Sequence, residues 1–524
     1  MSETSEPPPA TDHVPVATKI AYGLGSGNDM WGNWLYAGLV WTVFNMYLGV
    51  PPELISLALT FRLLFDAITD PLFGWLSDNT RSRFGRRRPY ILVGSILSGL
   101  CLPLLFTVGH DWTDNQYFWY ILGSSVIYMT FVSCFNMPYQ SLGPEITPDY
   151  DERTQVFSYK AGIQKIFEVG NFAAGAFATA AVWLAAKPND AFSRLGQMID
   201  DFTAWLPKMI GSVLAFDFDQ IARYASTPFG WVSSTGDELP NVVLGAQVYT
   251  SILGLIMILI GCAVFLGVKE RNYERFIKDN KEKISLSDTF NTLRCPPFRP
   301  QMIMALVYSV GTSMLGTLGL YLTNYYVCKG NITEGSLWNF GMGLAGMGFG
   351  FLAAPTFAKI SKIAGKTKAM MIVQVCAIAV FVGTWWFYDP NIKWLQFFAS
   401  GLISFTATGF WLILSSIGAD VIDYDEWQNG KRREGAFSAC TSLILKFGMI
   451  GTTAATGYIL TWIGFDADLG GDQSDSTIFW IRFLFLAVPI VSLIGALVAL
   501  SFFPLTHRKM NEIRSALEAR RGAV

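Results

Sequence analysis

The chain has 524 residues, of which 52% are hydrophobic, 15% aromatic and only 15% charged, against about 25% charged in an ordinary soluble domain. A net charge of -2 with a mean hydropathy of +0.36 excludes a nucleic-acid binder held by bulk charge, a disordered chain and a soluble enzyme as the first reading. Its seven cysteines are scattered without CxxC spacing, which excludes a disulfide scaffold or a zinc framework.

The first eighteen residues hold Pro7, Pro8 and Pro9 and no apolar run, and read as a short disordered tail rather than a secretory signal. Apolar stretches then fall at 21–48, 54–76, 90–108, 117–142, 161–185, 246–268, 300–327, 336–358, 369–388, 394–419, 436–464 and 478–503. Each is long enough for a helix across a hydrocarbon layer of about 30 Å. The expectation is an all-α membrane protein of twelve transmembrane helices. Basic loops stay in the cytoplasm; with the N-terminus inside, 28 of the 38 lysines and arginines fall on that side and six outside. Both termini are therefore expected in the cytoplasm.

The basic stretch 269–299 divides the chain into an N-terminal six-helix bundle, 19–268, and a C-terminal one, 300–504, with a cytoplasmic tail at 505–524. A faint repeat supports the division: basic, glycine-containing turns follow the second and the eighth spans, at Asp78–Pro89 and Ala358–Lys368. An outer-side insertion, 187–244, places Leu195, Met198, Ile199, Phe202, Trp205, Leu206 and Met209 at helical spacing. It reads either as an amphipathic helix packed at the outer interface or as a substrate lid.

A charge at mid-bilayer costs about 2.5–3.5 kcal/mol even on the lenient insertion scale and needs a partner, water or a purpose. The second span carries Arg62, Asp66 and Asp70 on one face, with Thr69 one position away. Two enclosed carboxylates one turn apart repel unless a proton, a cation or an arginine intervenes. Asp66 and Asp70 are thus the leading cation-site candidates, an Arg–Asp pair joining helices being the other reading. The first span bears a polar stripe of Tyr22, Ser26, Asp29, Asn33 and Tyr36. The fourth offers Ser133, Asn136 and Gln140, the fifth Lys160, Gln164, Lys165, Glu168 and Asn171, and the eleventh Ser438, Ser442 and Lys446. Any one of these serves equally as a buried interhelical hydrogen bond. Together they predict a shared aqueous cavity suited to a polyhydroxylated solute, in which Trp411 can stack on a sugar ring. Of the three histidines none lies in a span, and Gly365-Lys366-Thr367 lacks the upstream glycine of a nucleotide-binding loop, Ile360 standing there. No catalysis and no cofactor are expected.

The run Thr18–Asp29, the string Phe65-Asp66-Ala67-Ile68-Thr69-Asp70-Pro71 with Gly74, the string Asp78–Pro89, and the matches at Asn136–Tyr139, Glu152-Arg153 and Ala419–Tyr424 span both halves. On them the chain resembles the glycoside-pentoside-hexuronide:cation symporters, typified by melibiose permease, within the major facilitator superfamily. The resemblance implies the two-bundle major facilitator fold and cation-coupled symport of a sugar or glycoside. It implies Asp66 and Asp70 as cation ligands with Thr69 and Ser133 as further oxygens, Asp29 and Lys160 as sugar contacts, and Lys446 as a coupling lysine. Substrate contacts are expected from Asp29, Asn33, Tyr36, Asn136, Gln140, Lys160, Gln164, Trp411 and Lys446. Asp78, Arg83, Gly85 and Arg87 resemble the superfamily's cytoplasmic gate. Asn136, Gln140 and Thr69 depart from the family's acid, tryptophan and asparagine, which turns the expectation away from melibiose and sodium toward a proton; H+ or Na+ is the coupling ion, and Na+ the only metal considered. The chain is expected to work as a monomer in the bilayer of the cytoplasmic membrane, with no nucleic-acid partner. A lysolipid carrier of the same fold and a non-transporting sugar sensor are the alternatives.

Overall fold

The computed structural model describes residues 14–109, 111–143, 146–147, 150–184, 186–191, 193–198, 200, 207–208, 240–269, 292–430, 434–505 and 507–521. Among the described residues it is helical throughout. Helix α1 (Val16–Met30) continues through wide π-helical turns at Trp31–Leu35 and Trp41–Tyr47 that flank Tyr36–Val40. There follow α2 (Pro52–Asn79), α3 (Arg88–Leu104), α4 (Asp114–Leu142), α5 (Tyr150–Ala178) and α6 (Val242–Gly267). The second half holds α7 (Phe298–Tyr321, prolonged by π-helical Leu322–Val327), α8 (Ile332–Ala364), α9 (Lys366–Phe387), α10 (Leu395–Asn429), α11 (Glu434–Trp462), α12 (Asp475–Ser501) and α13 (His507–Arg521).

Eight of these helices are long and apolar enough to cross a membrane: α4 and α6 to α12, with α3 a shorter apolar one. Of the other helices, α1 is short before its π-helical turns, α2 carries Arg62, Asp66 and Asp70, and α5 carries Lys160, Lys165 and Glu168, which lowers the apolarity of the last two.

Local chemistry sets the helix ends. Thr113 and Gln116 form a reciprocal capping box at the start of α4, and Asn331 and Ser474 accept from the backbone N–H groups of Glu334 and Thr477. Gly365 separates α8 from α9 at φ 81°, a conformation that costs a side-chain-bearing residue 1 kcal/mol or more, roughly. Helices α3 and α6 touch backbone to backbone where Gly99 meets Gly254; a Cβ on either would collide with the other's carbonyl.

Helix α1 packs on α5 and α6, α3 on α4 and α6, and α2 on α4 and α11. In the second half α7 lies against α11 and α12, α10 against α8 and α9, and α8 also reaches α5. The basic loops Arg81–Arg88 and Lys359–Lys368 define one end of the bundle, called here the basic end. At the opposite, far end one apolar core runs unbroken from α1–α6 into α7, α8 and α12, whereas a second core belongs to α7–α13 alone.

The structure moves the start of the first helix and adds a helix to the C-terminal tail. Helix α1 begins at Val16, so the N-terminal tail is shorter than eighteen residues; 1–13 lie outside the described residues. The C-terminal tail is helical as α13, because Met510, Ile513 and Leu517 recur on one helical face and bury themselves beside α10. Most of the insertion 187–244 and of the linker 269–299 lies outside the described residues. Of the insertion's apolar stripe, Met198 is buried against Trp183, Leu244 and Leu337, in protein rather than lipid.

Candidate functional site

Asp66 and Asp70 stand one turn apart at the middle of α2, and the space between their carboxylates is filled from the other half of the chain. The Lys446 ammonium of α11 donates to Asp66 Oδ2 at 2.9 Å and also to Asp70 Oδ2. The two like charges, which would otherwise repel, share one cation. Ser133 of α4 donates to the second Asp66 oxygen at 3.1 Å, and its own oxygen lies 3.1 Å from the Thr69 hydroxyl. The four residues expected at the cation site are therefore together, and Lys446, expected among the substrate contacts, joins them instead. The side chains are about one-tenth to one-quarter exposed, so the cluster borders open space rather than sealed core. Pro71 follows Asp70 directly and has no N–H, which leaves the Ala67 carbonyl without its helical donor beside the carboxylates.

Arg62, one turn before Asp66, forms no ion pair with it. Its guanidinium donates to the Asn33 carbonyl at 3.2 Å and to the Met129 sulfur at 3.0 Å, and lies over the Tyr36 ring. It pins α2 to α1. The interhelical Arg–Asp reading is thus replaced by an arginine–carbonyl contact.

Helix α1 supplies the second cluster. Asp29 lies 3.7 Å from the Lys160 ammonium of α5 and accepts from Asn33 Nδ2 at 3.2 Å; the exposed Gln140 of α4 stands beside it. Lys160 sits above the Tyr139 ring, and Tyr139 stacks on Tyr22. Gln164 reaches the Met30 sulfur beside this group. Asn136 is buried on the same helix as Ser133 and Gln140, and its side-chain carbonyl has no hydrogen-bond partner in the structure.

Tyr36 does not line this space. It is fully buried against Phe106 and Arg62. The π-helical turn at Trp31–Leu35 inserts extra residues per turn, so the regular i, i+4, i+7 register that placed Tyr36 beside Asp29 and Asn33 is lost past Leu35. Tyr22 and Ser26 are buried as well. Trp411 of α10 packs its ring edge against Tyr308 and Phe410 of the second half. On α5, Lys165 and Glu168 form a 2.7 Å ion pair near the middle of the helix.

At the basic end Arg87 is buried and donates to the Ser141 carbonyl, Arg83 lies exposed over the Phe84 ring, and Gly85 turns the chain at φ 102°. Asp78 is the last residue but one of α2, and its side chain is outside the described residues, as is that of Ser438. A third cluster went unread in the sequence: Lys19, only 2% exposed, pairs with Glu152 at 2.8 Å and donates to Gln155 at 2.6 Å, clamping the start of α1 to α5. The separation of more than 130 residues hides it.

The bonds that tie the two halves gather at mid-depth and at the far end. There the π-helical stretches of α1 and α7 meet: the Tyr321 hydroxyl donates to Asn45 Oδ1, Asn324 Nδ2 to the Met46 sulfur at 3.1 Å, and Trp41 lies edge-on to Tyr321. Thr461 of α11 donates to Glu53 of α2, and Thr333 of α8 to the Thr179 carbonyl at 2.9 Å.

Residues 34–507 match the family described as MFS/sugar transport protein. The chain is 27% identical to an uncharacterized symporter of Synechocystis sp., over 96% of either chain. It is 24% identical to the isoprimeverose transporter of Lactiplantibacillus pentosus, over 95% of this chain and 92% of that one. Among solved structures, the nucleoside transporter NupG superposes with a TM-score of 0.58 at 12% identity, over 93% of this chain and 99% of that one. A bacterial homologue of the human lysosomal transporter Spinster, inward-facing and occupied, gives 0.57 at 12% identity over 95% and 97%. These structural likenesses establish the fold, and the match over residues 34–507 establishes that the chain belongs to the MFS/sugar transport family of multi-pass membrane transporters.

Proposed function

We propose that this chain is a cation-coupled symporter of a sugar or glycoside, working by alternating access. The names of its relatives support the substrate class, an isoprimeverose transporter and a raffinose carrier among them. Helices α1–α6 and α7–α12 act as two six-helix halves of twelve spans, with both termini on the cytoplasmic side of the cytoplasmic membrane, the basic end inside. The monomer is the working unit. The far-end seam makes this the inward-open state, with Asp29, Asn33, Asn136, Gln140, Lys160 and Gln164 at the sugar and Asp66, Asp70, Thr69 and Ser133 at the ion. Trp411 joins the sugar from the second half, and Asp78, Arg83, Gly85 and Arg87 gate the basic end.

One observation carries the mechanism: the Lys446 ammonium already occupies the seat between the carboxylates. A bare pair of charges would oppose closure of a dry gate over it. In the empty carrier Lys446 supplies the missing positive charge, so the two halves can rock and reopen outward. An incoming proton or Na+ takes that seat from outside and frees the ammonium. The tie between α2 and α11 is then exchanged for sugar held across the cavity. The ion is thereby coupled to the movement of the halves rather than to the sugar alone.

Counterflow in reconstituted vesicles, with a panel of glycosides, with and without sodium and at two pH values, tests this reading. One or more glycosides should exchange, with a rate set by sodium or by pH. Exchange of none, with lysolipid moved instead, contradicts it.

A further inference from the structure

Arg482 is the eighth residue of α12, in an otherwise apolar stretch, and no carboxylate lies within ion-pair reach of it among the described residues. Its guanidinium is clamped between two rings, Trp385 of α9 at 4.1 Å and Tyr326 of the π-helical end of α7 at 4.3 Å. One terminal nitrogen donates to the Trp385 carbonyl at 2.9 Å. A guanidinium has five N–H donors in one plane. The two rings against it restrain that plane, and the donors not bonded to the Trp385 carbonyl remain for another acceptor.

The depth of this group follows from helix geometry. Side chains lean toward a helix N-terminus, so Arg482 leans toward the far end of the bundle. Trp385 lies two residues before the end of α9, about 3 Å along the axis. The guanidinium therefore sits level with the belt of tryptophans that includes Trp386, Trp462 and Trp480, where headgroups meet acyl chains. Trp386 and Phe479, 65% and 50% exposed, flank it on the far-end side, and Phe483 of α12 and Val382 of α9, 39% and 42% exposed, continue the apolar surface from the charge toward mid-membrane.

We propose that Arg482, Trp385 and Tyr326 form a phospholipid site on the outside of the bundle, in which the guanidinium edge takes the headgroup phosphate and the exposed aromatics take an acyl chain. A planar fork held by stacking suits a phosphate in bidentate fashion. The unpaired charge at the edge of a hydrocarbon layer is balanced by the anion. The site lies where α7, α9 and α12 meet, three helices of one half, so an occupied site braces that half. The inference rests only on the chain lying in a membrane and stands or falls apart from sugar transport.

Native mass spectrometry of the full chain in detergent, titrated with phosphatidylglycerol and separately with inorganic phosphate, tests it. The wild type should hold its first phosphatidylglycerol about ten-fold more tightly than Arg482→Gln. Arg482→Lys, which keeps the charge and loses the fork, should fall between them. Equal retention by wild type and Arg482→Gln overturns the proposal. Displacement of the lipid by millimolar inorganic phosphate overturns the lipid assignment in favour of a free-anion site. Should Arg482→Gln not fold, Tyr326→Leu, which opens the clamp and keeps the charge, decides: weakened retention supports the site, and unchanged retention overturns it.

Discussion

Asp29 has three side-chain neighbours that present hydrogen-bonding groups to the same small volume, Asn33, Gln140 and Lys160. A sugar hydroxyl placed there donates to the carboxylate and accepts from the ammonium or an amide. Asp29→Ala leaves Lys160 without its counter-charge and removes the acceptor, and should weaken sugar binding about ten-fold or more, read by equilibrium titration of the purified carrier. An unchanged affinity would place the sugar elsewhere. At the other cluster Ser133 donates to Asp66 and lies beside Thr69, so both hydroxyls border the proposed ion seat. Ser133→Ala keeps the charge and removes one oxygen. It should raise the cation concentration needed for half-maximal uptake if the ion is Na+, since that ion is bound through oxygens, and shift the pH dependence if the ion is a proton. No change in either would separate Ser133 from the ion.

At the level of elements, the features legible in the sequence are those that depend on one helix at a time. The carboxylate pair of α2 could be read because i and i+4 always share a face. The polar face of α5 could be read for the same reason. Helix α1 defeated the reading at Tyr36, since a wide turn alters the register without an obvious signal in Trp31–Leu35. The partner of the carboxylates was not legible from the spans themselves, because 380 residues separate Lys446 from Asp66 and only packing brings α11 onto α2. The far-end seam was hidden for the same reason. That seam joins the π-helical ends of α1 and α7 through Tyr321 and Asn45. Tyr321→Phe removes the donor and nearly nothing else, and should shift the population toward the outward-open state by about five-fold, the worth of one net hydrogen bond. Spin-label distances between the far ends of α2 and α11 would report it as growth of a longer distance. An unaltered distribution would show that the seam does not hold the gate.

For the whole molecule the proposed coupling runs through the charges that α2 and α11 share. Lys446→Gln leaves two bare carboxylates in the empty carrier and should stop its return, so net uptake falls by at least about ten-fold. Counterflow with ion and sugar on both sides skips the empty return step and should persist. Loss of both in a folded variant would give Lys446 a role in binding instead of in return.

A single monovalent ion moving through 100 mV provides about 2.3 kcal/mol, roughly a fifty-fold accumulation of cargo. The most direct measurement is the steady-state ratio of labelled glycoside inside and outside proteoliposomes under an imposed cation gradient, for the wild type and for Asp66→Asn. The wild type should concentrate the glycoside well above unity, and Asp66→Asn should bring it only to unity while still exchanging it. Undiminished accumulation by Asp66→Asn would contradict the assignment of the ion to the α2 carboxylates.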